Sequence, residues 1–198
     1  MIKNIIFDIG NVLVYYKPIE FLSKKYPQED VLFLFSAIFD TQEWLELDKG
    51  TKTETEVLRI FIERNPEREA ILRDVMLDLC SIFAPIESTV KILNLLKARG
   101  YNLLYLSNIS HQIYACIFKK YDFFNNFDGG IISAKLNMMK PDAEIYQSLL
   151  SKFNIKPEES IFIDDTIQNT LAAEQLGFLT IHLSTPETLI DDLAEFGI

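Results

Sequence analysis

The chain has 198 residues, 48% of them hydrophobic, and a formal net charge of -10 from 29 acidic against 19 basic side chains. That apolar fraction excludes a disordered chain, and the length suits one sizeable core with a small accessory domain. The acidic balance argues against a nucleic-acid partner, since phosphate neutralisation needs a basic face, but leaves room for a small anionic substrate held by local charge.

Residues 2–7 are short, β-branched and apolar on both faces, which predicts a strand of a covered parallel sheet running into Asp8. From 17 to 84 strand signals vanish and helical periodicity takes over. Val31, Leu34, Phe35 and Ile38 fall on one helix face, and Thr53 with Glu56 forms a capping-box pattern ahead of Val57, Ile60 and Phe61. Pro66 separates that helix from another over 67–79.

Alternation returns after Pro85. A helix over 87–99 closes at Gly100, a strand follows at 102–106, a helix at 110–120 and a short strand at 130–132. A helix over 142–153, a strand at 161–163, a helix over 167–176 closed by Gly177 and a strand at 179–182 complete the pattern. Thr185 is expected to cap a last helix with Pro186 in its first turn. The expected fold is α/β: a doubly wound, Rossmann-like parallel sheet built from 1–16 and 85–198, with an all-helical cap at 17–84 inserted after the first strand. The insert leaves from the carboxyl edge of the sheet, where it can act as a lid.

Cys80 and Cys116 sit in helix-like apolar patterns and read as reduced, buried thiols. Asp8 interrupts the N-terminal apolar run too early for a secretion signal, and the run from Val31 to Phe39 is too short to span a bilayer. The expectation is a cytoplasmic protein with no membrane partner.

Three strand ends deliver chemistry to one edge: Asp8, then Ser107-Asn108, then Asp164-Asp165. The carboxylates suit a hard divalent cation such as Mg²⁺, which needs only one or two of them beside water and substrate phosphate. Ser107 and Asn108 open a loop-to-helix segment able to hold an anion, and Lys140 can neutralise a phosphate. Taken singly, each has a plain structural reading as a turn former, cap or surface charge; their order along the chain carries the argument.

Phe7-Asp8-Ile9-Gly10-Asn11-Val12-Leu13, Leu106-Ser107-Asn108, Lys140-Pro141-Asp142 and Ile163-Asp164-Asp165 with Asn169 resemble the four motifs of the haloacid dehalogenase superfamily. The likeness is greatest to bacterial phosphatase-like members with Asp-x-Gly-Asn-Val, which include phosphatases acting on glucose 1-phosphate. The resemblance implies a Mg²⁺-dependent phosphatase for a small phosphorylated metabolite, a sugar phosphate being favoured. Asp8 would be the nucleophile that forms an aspartyl phosphate. The cation would be held by Asp8, the Gly10 backbone carbonyl and Asp165, with Asp164 close by. Ser107 and Asn108 would grip the phosphoryl oxygens, Lys140 would offset negative charge, and Asn169 would support.

Gly10 departs from the typical motif, which carries a second aspartate there. That residue protonates the leaving oxygen and later activates water, help worth about 10²–10⁴-fold. Three explanations are open at this stage: a substrate with a good leaving group, another proton donor (Tyr15, Tyr16 or a cap residue), or a role in binding alone. Tyr15 and Tyr16 read as hinge or packing residues, and Trp44 and Asp48-Lys49-Gly50 as a packed indole and a helix-end turn, with substrate contact as the competing reading. His182 reads as structural, and His111 as a secondary contact at most. The competing functions are a non-catalytic phosphometabolite-binding protein and a haloacid-type dehalogenase.

Overall fold

The computed structural model describes residues 1–198. β1 (Asn4–Phe7) leads through a tight turn into β2 (Val14–Tyr16). Five helices follow: α1 (Pro18–Lys25), α2 (Gln28–Leu34), which runs on as a π-helical turn to Phe39, α3 (Gln42–Lys49), α4 (Glu54–Arg64) and α5 (Glu69–Leu77). β3 (Phe83–Pro85) brings the chain back, and α6 (Glu87–Ala98), β4 (Asn102–Ser107), α7 (His111–Lys120), β5 (Gly129–Ile132), α8 (Ser133–Leu136) and α9 (Ala143–Phe153) come next. β6 (Ser160–Asp164), α10 (Ile167–Gln175), β7 (Leu179–His182) and α11 (Leu189–Ala194) complete the chain.

Five strands form one parallel sheet in the order β5-β4-β1-β6-β7. β1 lies between β4 and β6, so the strand order reverses there, and the crevice beyond the carboxyl ends of these three strands is where such sheets bind ligands. Alternate residues of each strand point to opposite faces. Ile6, Leu104, Leu106 and Phe162 pack with Ile145, Tyr146 and Leu149 of α9. Ile5, Phe7, Leu103, Ile161 and Ile163 join a larger cluster that continues through Val14 into Leu34, Ile38, Leu47 and Phe61 of the helical segment. Sheet and insert therefore share one apolar core.

The helices between β2 and β3 follow local rules. Thr41 accepts the Trp44 N–H to start α3, and Gly50 ends it in the left-handed region at φ 80°. Thr53 and Glu56 form both halves of a capping box at α4. β2 and β3 pair antiparallel, with Val14 opposite Pro85 and Tyr16 opposite Phe83, so outgoing and returning chains form a two-stranded stalk. That ribbon is absent from the sequence reading, because three-residue strands are too short to show a period. No helix is long and apolar enough to cross a membrane.

Two expectations are corrected. Cys80 and Cys116 are half-buried and joined as a disulfide with Cα atoms 6.0 Å apart. The turn before β3 packs on α7 and brings the two sulfurs together, a juxtaposition that helical patterns 36 residues apart cannot reveal. The reduced-thiol argument for the cytoplasm falls with it. Thr185 makes no side-chain cap; Pro186–Thr188 form a 3₁₀ turn before α11 starts at Leu189.

Candidate active site

β1 ends in a buried carboxylate. Asp8 Oδ1 accepts the Ile9 N–H at 2.7 Å and lies 2.9 Å from Lys140 Nζ, so two donors fix its orientation. Lys140 also donates to Asp164 Oδ2 at 2.6 Å. The ammonium and the two carboxylates are all buried. Burial alone would lower Lys140, but the Asp8 and Asp164 charges overturn that and hold it above the usual lysine range. Burial pushes the Asp8 carboxyl up, to about 7, against the pull of Lys140 and the Ser107 hydroxyl.

Asp164, at the end of β6, is saturated. Its Oδ1 accepts the Thr166 N–H at 2.8 Å, and the Asn169 amide donates to both oxygens at 3.0 and 3.1 Å. Tyr146 in turn donates to the Asn169 carbonyl at 2.9 Å. Asp165 is half-buried and accepts the Asn11 amide at 3.0 Å; burial raises its carboxyl and that amide opposes the rise. His182 Nε2 meets the Asp165 carbonyl at 3.0 Å, in keeping with a structural role.

The turn after Asp8 is built by Asn11, which sits in the left-handed region at φ 52°. Its amide reaches Asp165 while its Oδ1 accepts the Tyr16 N–H at 3.0 Å, tying the metal-side acid to the stalk. Gly10 has an ordinary φ, and a Cβ built on it meets nothing within 4 Å. Packing does not demand glycine there, so the missing carboxylate is a chemical feature of the site.

Asn108 is held at both ends by Lys140: its Oδ1 accepts the Lys140 N–H and its Nδ2 donates to the Lys140 carbonyl, each at 2.9 Å. Its side chain therefore positions the lysine loop as well as lining the site. A cavity of about 190 Å³ lies among these groups, lined by Asp8, Gly10, Ser107, Asn108 and Asp165 from the sheet edge. Tyr16 and Phe83 of the stalk, and Trp44 and Asp48 of α3, complete its lining. Trp44 is buried, with its ring against Tyr16 and Phe39.

The fold thus brings together Asp8, Ser107, Asn108, Lys140, Asp164, Asp165 and Asn169, and adds Tyr16 and Trp44 at the roof. Tyr15 is not brought in: it faces a separate groove beside Lys17, whose ammonium lies 4.1 Å from the ring centroid. His111 is exposed and outside the cavity lining. Asp48, read from the sequence as part of a helix-end turn with substrate contact as the competing reading, lines the cavity. Asn11 is a site residue that the sequence reading lacks; the Asp-x-Gly-Asn run is the signal that points to it.

Asp8, Asp164 and Asp165 each offer one oxygen within 4.8 Å of the others, a set fit for a divalent cation. Asp164 carries the heaviest load of protein donors, from Lys140, Thr166 and Asn169, so Asp8 and Asp165 are the better placed ligands.

Residues 2–177 match the family described as haloacid dehalogenase-like hydrolase. The chain belongs to that family. This haloacid dehalogenase-like hydrolase is 24% identical over 182 residues to a sesquiterpene phosphatase of Aspergillus oryzae, covering 92% of this chain and 90% of the relative. A haloacid dehalogenase family enzyme of Bacteroides thetaiotaomicron, solved with magnesium and inorganic phosphate, superposes with a TM-score of 0.70 at 23% identity, covering 91% of this chain and 93% of that one. The L-2-haloacid dehalogenase of Xanthobacter autotrophicus superposes with a TM-score of 0.70 at 16% identity, covering 98% and 83%. Likeness of fold at this level of identity does not decide the reaction, which must be argued from the site.

Proposed function

We propose that this hydrolase is a Mg²⁺-dependent phosphatase acting on a small phosphorylated metabolite, with a sugar phosphate favoured. The observation that carries the reading is the Asp8–Lys140–Asp164 array beside Asp165. One buried ammonium spans two carboxylates, and a third acid stands at the mouth, a charge arrangement suited to a cation and a phosphoryl group. The A. oryzae relative, a phosphatase by name, supports the same reaction class.

In this reading Asp8 and Asp165, with the Gly10 carbonyl, would hold Mg²⁺, and Asp164 and Asn169 would keep Lys140 and the acids in place. Bound there, the cation would supply charge neutralisation for the phosphoryl oxygens and favour the ionised form of Asp8. Asp8 attacks phosphorus as the P–O bond to the leaving group breaks, giving an aspartyl phosphate. Ser107, the Asn108 segment and Lys140 hold the transferred oxygens. Water then attacks phosphorus, the bond to Asp8 breaks, and inorganic phosphate leaves. Residues 17–84 serve as the cap domain that covers the site.

The cavity, about 190 Å³, falls below the roughly 300–1,000 Å³ usual for drug-sized ligands. Its wall is mixed, with Trp44, Phe83, Ile109 and Ile113 beside polar groups. Both features favour a compact leaving group. The paired acids disfavour the dehalogenase alternative, which has no use for a cation, and the intact Asp8–Lys140 pair disfavours binding alone.

A screen of sugar phosphates and nucleotides, with and without Mg²⁺, tests it. Phosphate release from a sugar phosphate that stops on chelation is expected. No release from any compound, or chloride release from 2-chloropropionate without metal, overturns the reading.

A further inference from the structure

A phosphatase lacking an acid at Gly10 needs a proton for the leaving oxygen from elsewhere, and the cavity offers few sources. Tyr15 lies outside it. Tyr16 lines it, but burial and then the Asp48 charge push its phenol far above the ordinary range, which makes it a poor proton donor to the leaving oxygen. Lys140 is held as an ammonium between two carboxylates. Asp8 and Asp165 are taken up as nucleophile and cation ligand in this reading, and the remaining ionisable group on the lining is Asp48, carried by α3.

Asp48 is placed by docking. The Ser133 hydroxyl donates to its main-chain carbonyl, and the same hydroxyl accepts the Ile109 N–H at 2.8 Å, bridging α3 to the segment after Ser107. Asn137 donates to the Lys49 carbonyl at 3.3 Å. Gly50, at φ 80°, lies so close to α8 that a Cβ there would fall 2.3 Å from the Ala134 carbonyl oxygen. This turn docks the insert on α8, and from it Asp48 lines the cavity. No lysine, arginine or histidine lies in salt-bridge range of its carboxyl, unlike Glu43 and Asp30 of the same segment, which pair with Arg64 and Arg68.

We propose that Asp48 is the general acid and base of this enzyme, a catalytic residue lent by the cap in place of the acid missing at Gly10. The inference rests on the phosphatase reading. As Asp8 bonds to phosphorus, the Asp48 carboxylic acid gives its proton to the departing oxygen, which leaves as an alcohol. The resulting carboxylate then takes a proton from the attacking water as the phosphorus–Asp8 bond breaks. Phosphate leaves, and Asp48 is again protonated. Burial, partly offset by the Ser110 N–H, pushes this carboxyl up to about 8, so it carries its proton at neutrality. Catalytic competence then depends on the docked cap.

The test compares para-nitrophenyl phosphate, whose leaving group needs no proton, with phenyl phosphate, whose leaving group does. With Mg²⁺, Asp48→Asn is expected to lose about 10²-fold or more in kcat/KM on phenyl phosphate and less than about tenfold on the nitrophenyl ester. Adding Gly10→Asp, for which the backbone has room, should restore most of the loss on phenyl phosphate. Equal losses on both esters, or none, overturn the proposal. A measurement on the unmodified enzyme guards against a variant that fails to fold. Its phenyl-to-nitrophenyl ratio of kcat/KM should hold steady below about pH 8 and fall above it; a constant ratio overturns the proposal. Tyr16, Asp8 and Asp165 share the cavity with Asp48, Lys49 and Lys52 flank it, and Lys135 of α8 lies over the Tyr114 ring. These groups act on both esters alike and cancel in the ratio. Failure of the unmodified enzyme on para-nitrophenyl phosphate would instead sink the phosphatase reading itself.

Discussion

Lys140 is the residue on which the most charges depend. Removing it leaves Asp8 and Asp164 buried, close together and without a cation. Breaking a buried ion pair on one side costs about 3–5 kcal/mol. Lys140→Met is therefore expected to lower the unfolding free energy, read by denaturant titration, by that order and to abolish turnover. Asn169→Ala removes only the amide that holds Asp164, so it should cost activity while leaving the protein folded, as circular dichroism and a turnover assay on the same sample would show. Asp48 makes a signed prediction of its own. Unfolded, it ionises near 3.9; folded, near 8. A carboxyl raised in the folded state lowers stability as pH climbs from the first value to the second. Asp48→Asn removes that penalty, so its melting temperature relative to wild type should rise between about pH 4 and pH 8 and then level off. Coincident curves would contradict the burial of this acid.

At the scale of elements, the turn from α3 to α8 decides whether the roof is in place. Gly50→Ala meets both a left-handed φ and the Ala134 backbone. A strained residue of this kind costs about 1–3 kcal/mol. If docking bears that cost, kcat/KM falls by about 5- to 150-fold on every ester, because the whole cap shifts; an unchanged value would mean that docking is not needed. The elements themselves were largely legible. The alternation of apolar strands and helices after Pro85 is strong because each strand is buried on both faces, and Asp8, Ser107 and Asp164 stand at strand ends. The β2–β3 stalk was not legible, since pairing between residues 14–16 and 83–85 is set by tertiary closure. Asp48-Lys49-Gly50 reads as a helix-end turn with substrate contact as the competing reading; the turn holds at Gly50, while nothing in periodicity says that α3 brings Asp48 to the lining of the cavity.

At the scale of the molecule, one apolar cluster runs from the sheet into the helical segment, and the Cys80–Cys116 bond fastens the end of that segment to α7, the helix that follows Ser107 and Asn108. A cross-link closing a loop of this length stabilises by about 3–4 kcal/mol in the chain-entropy treatment. Cys80→Ser, or reduction of the native protein, should lower the melting temperature accordingly, with free thiols counted before and after; two reactive thiols in the untreated protein would contradict the pairing. The central claim is broader: this buried array transfers a phosphoryl group through Asp8. Its most direct test is the rate of phosphate release from para-nitrophenyl phosphate with Mg²⁺ by the wild type and by Asp8→Asn. The account predicts metal-dependent turnover in the first and a loss of about 10³-fold or more in the second, since removal of a covalent nucleophile costs on that order. Undiminished release by Asp8→Asn would contradict it.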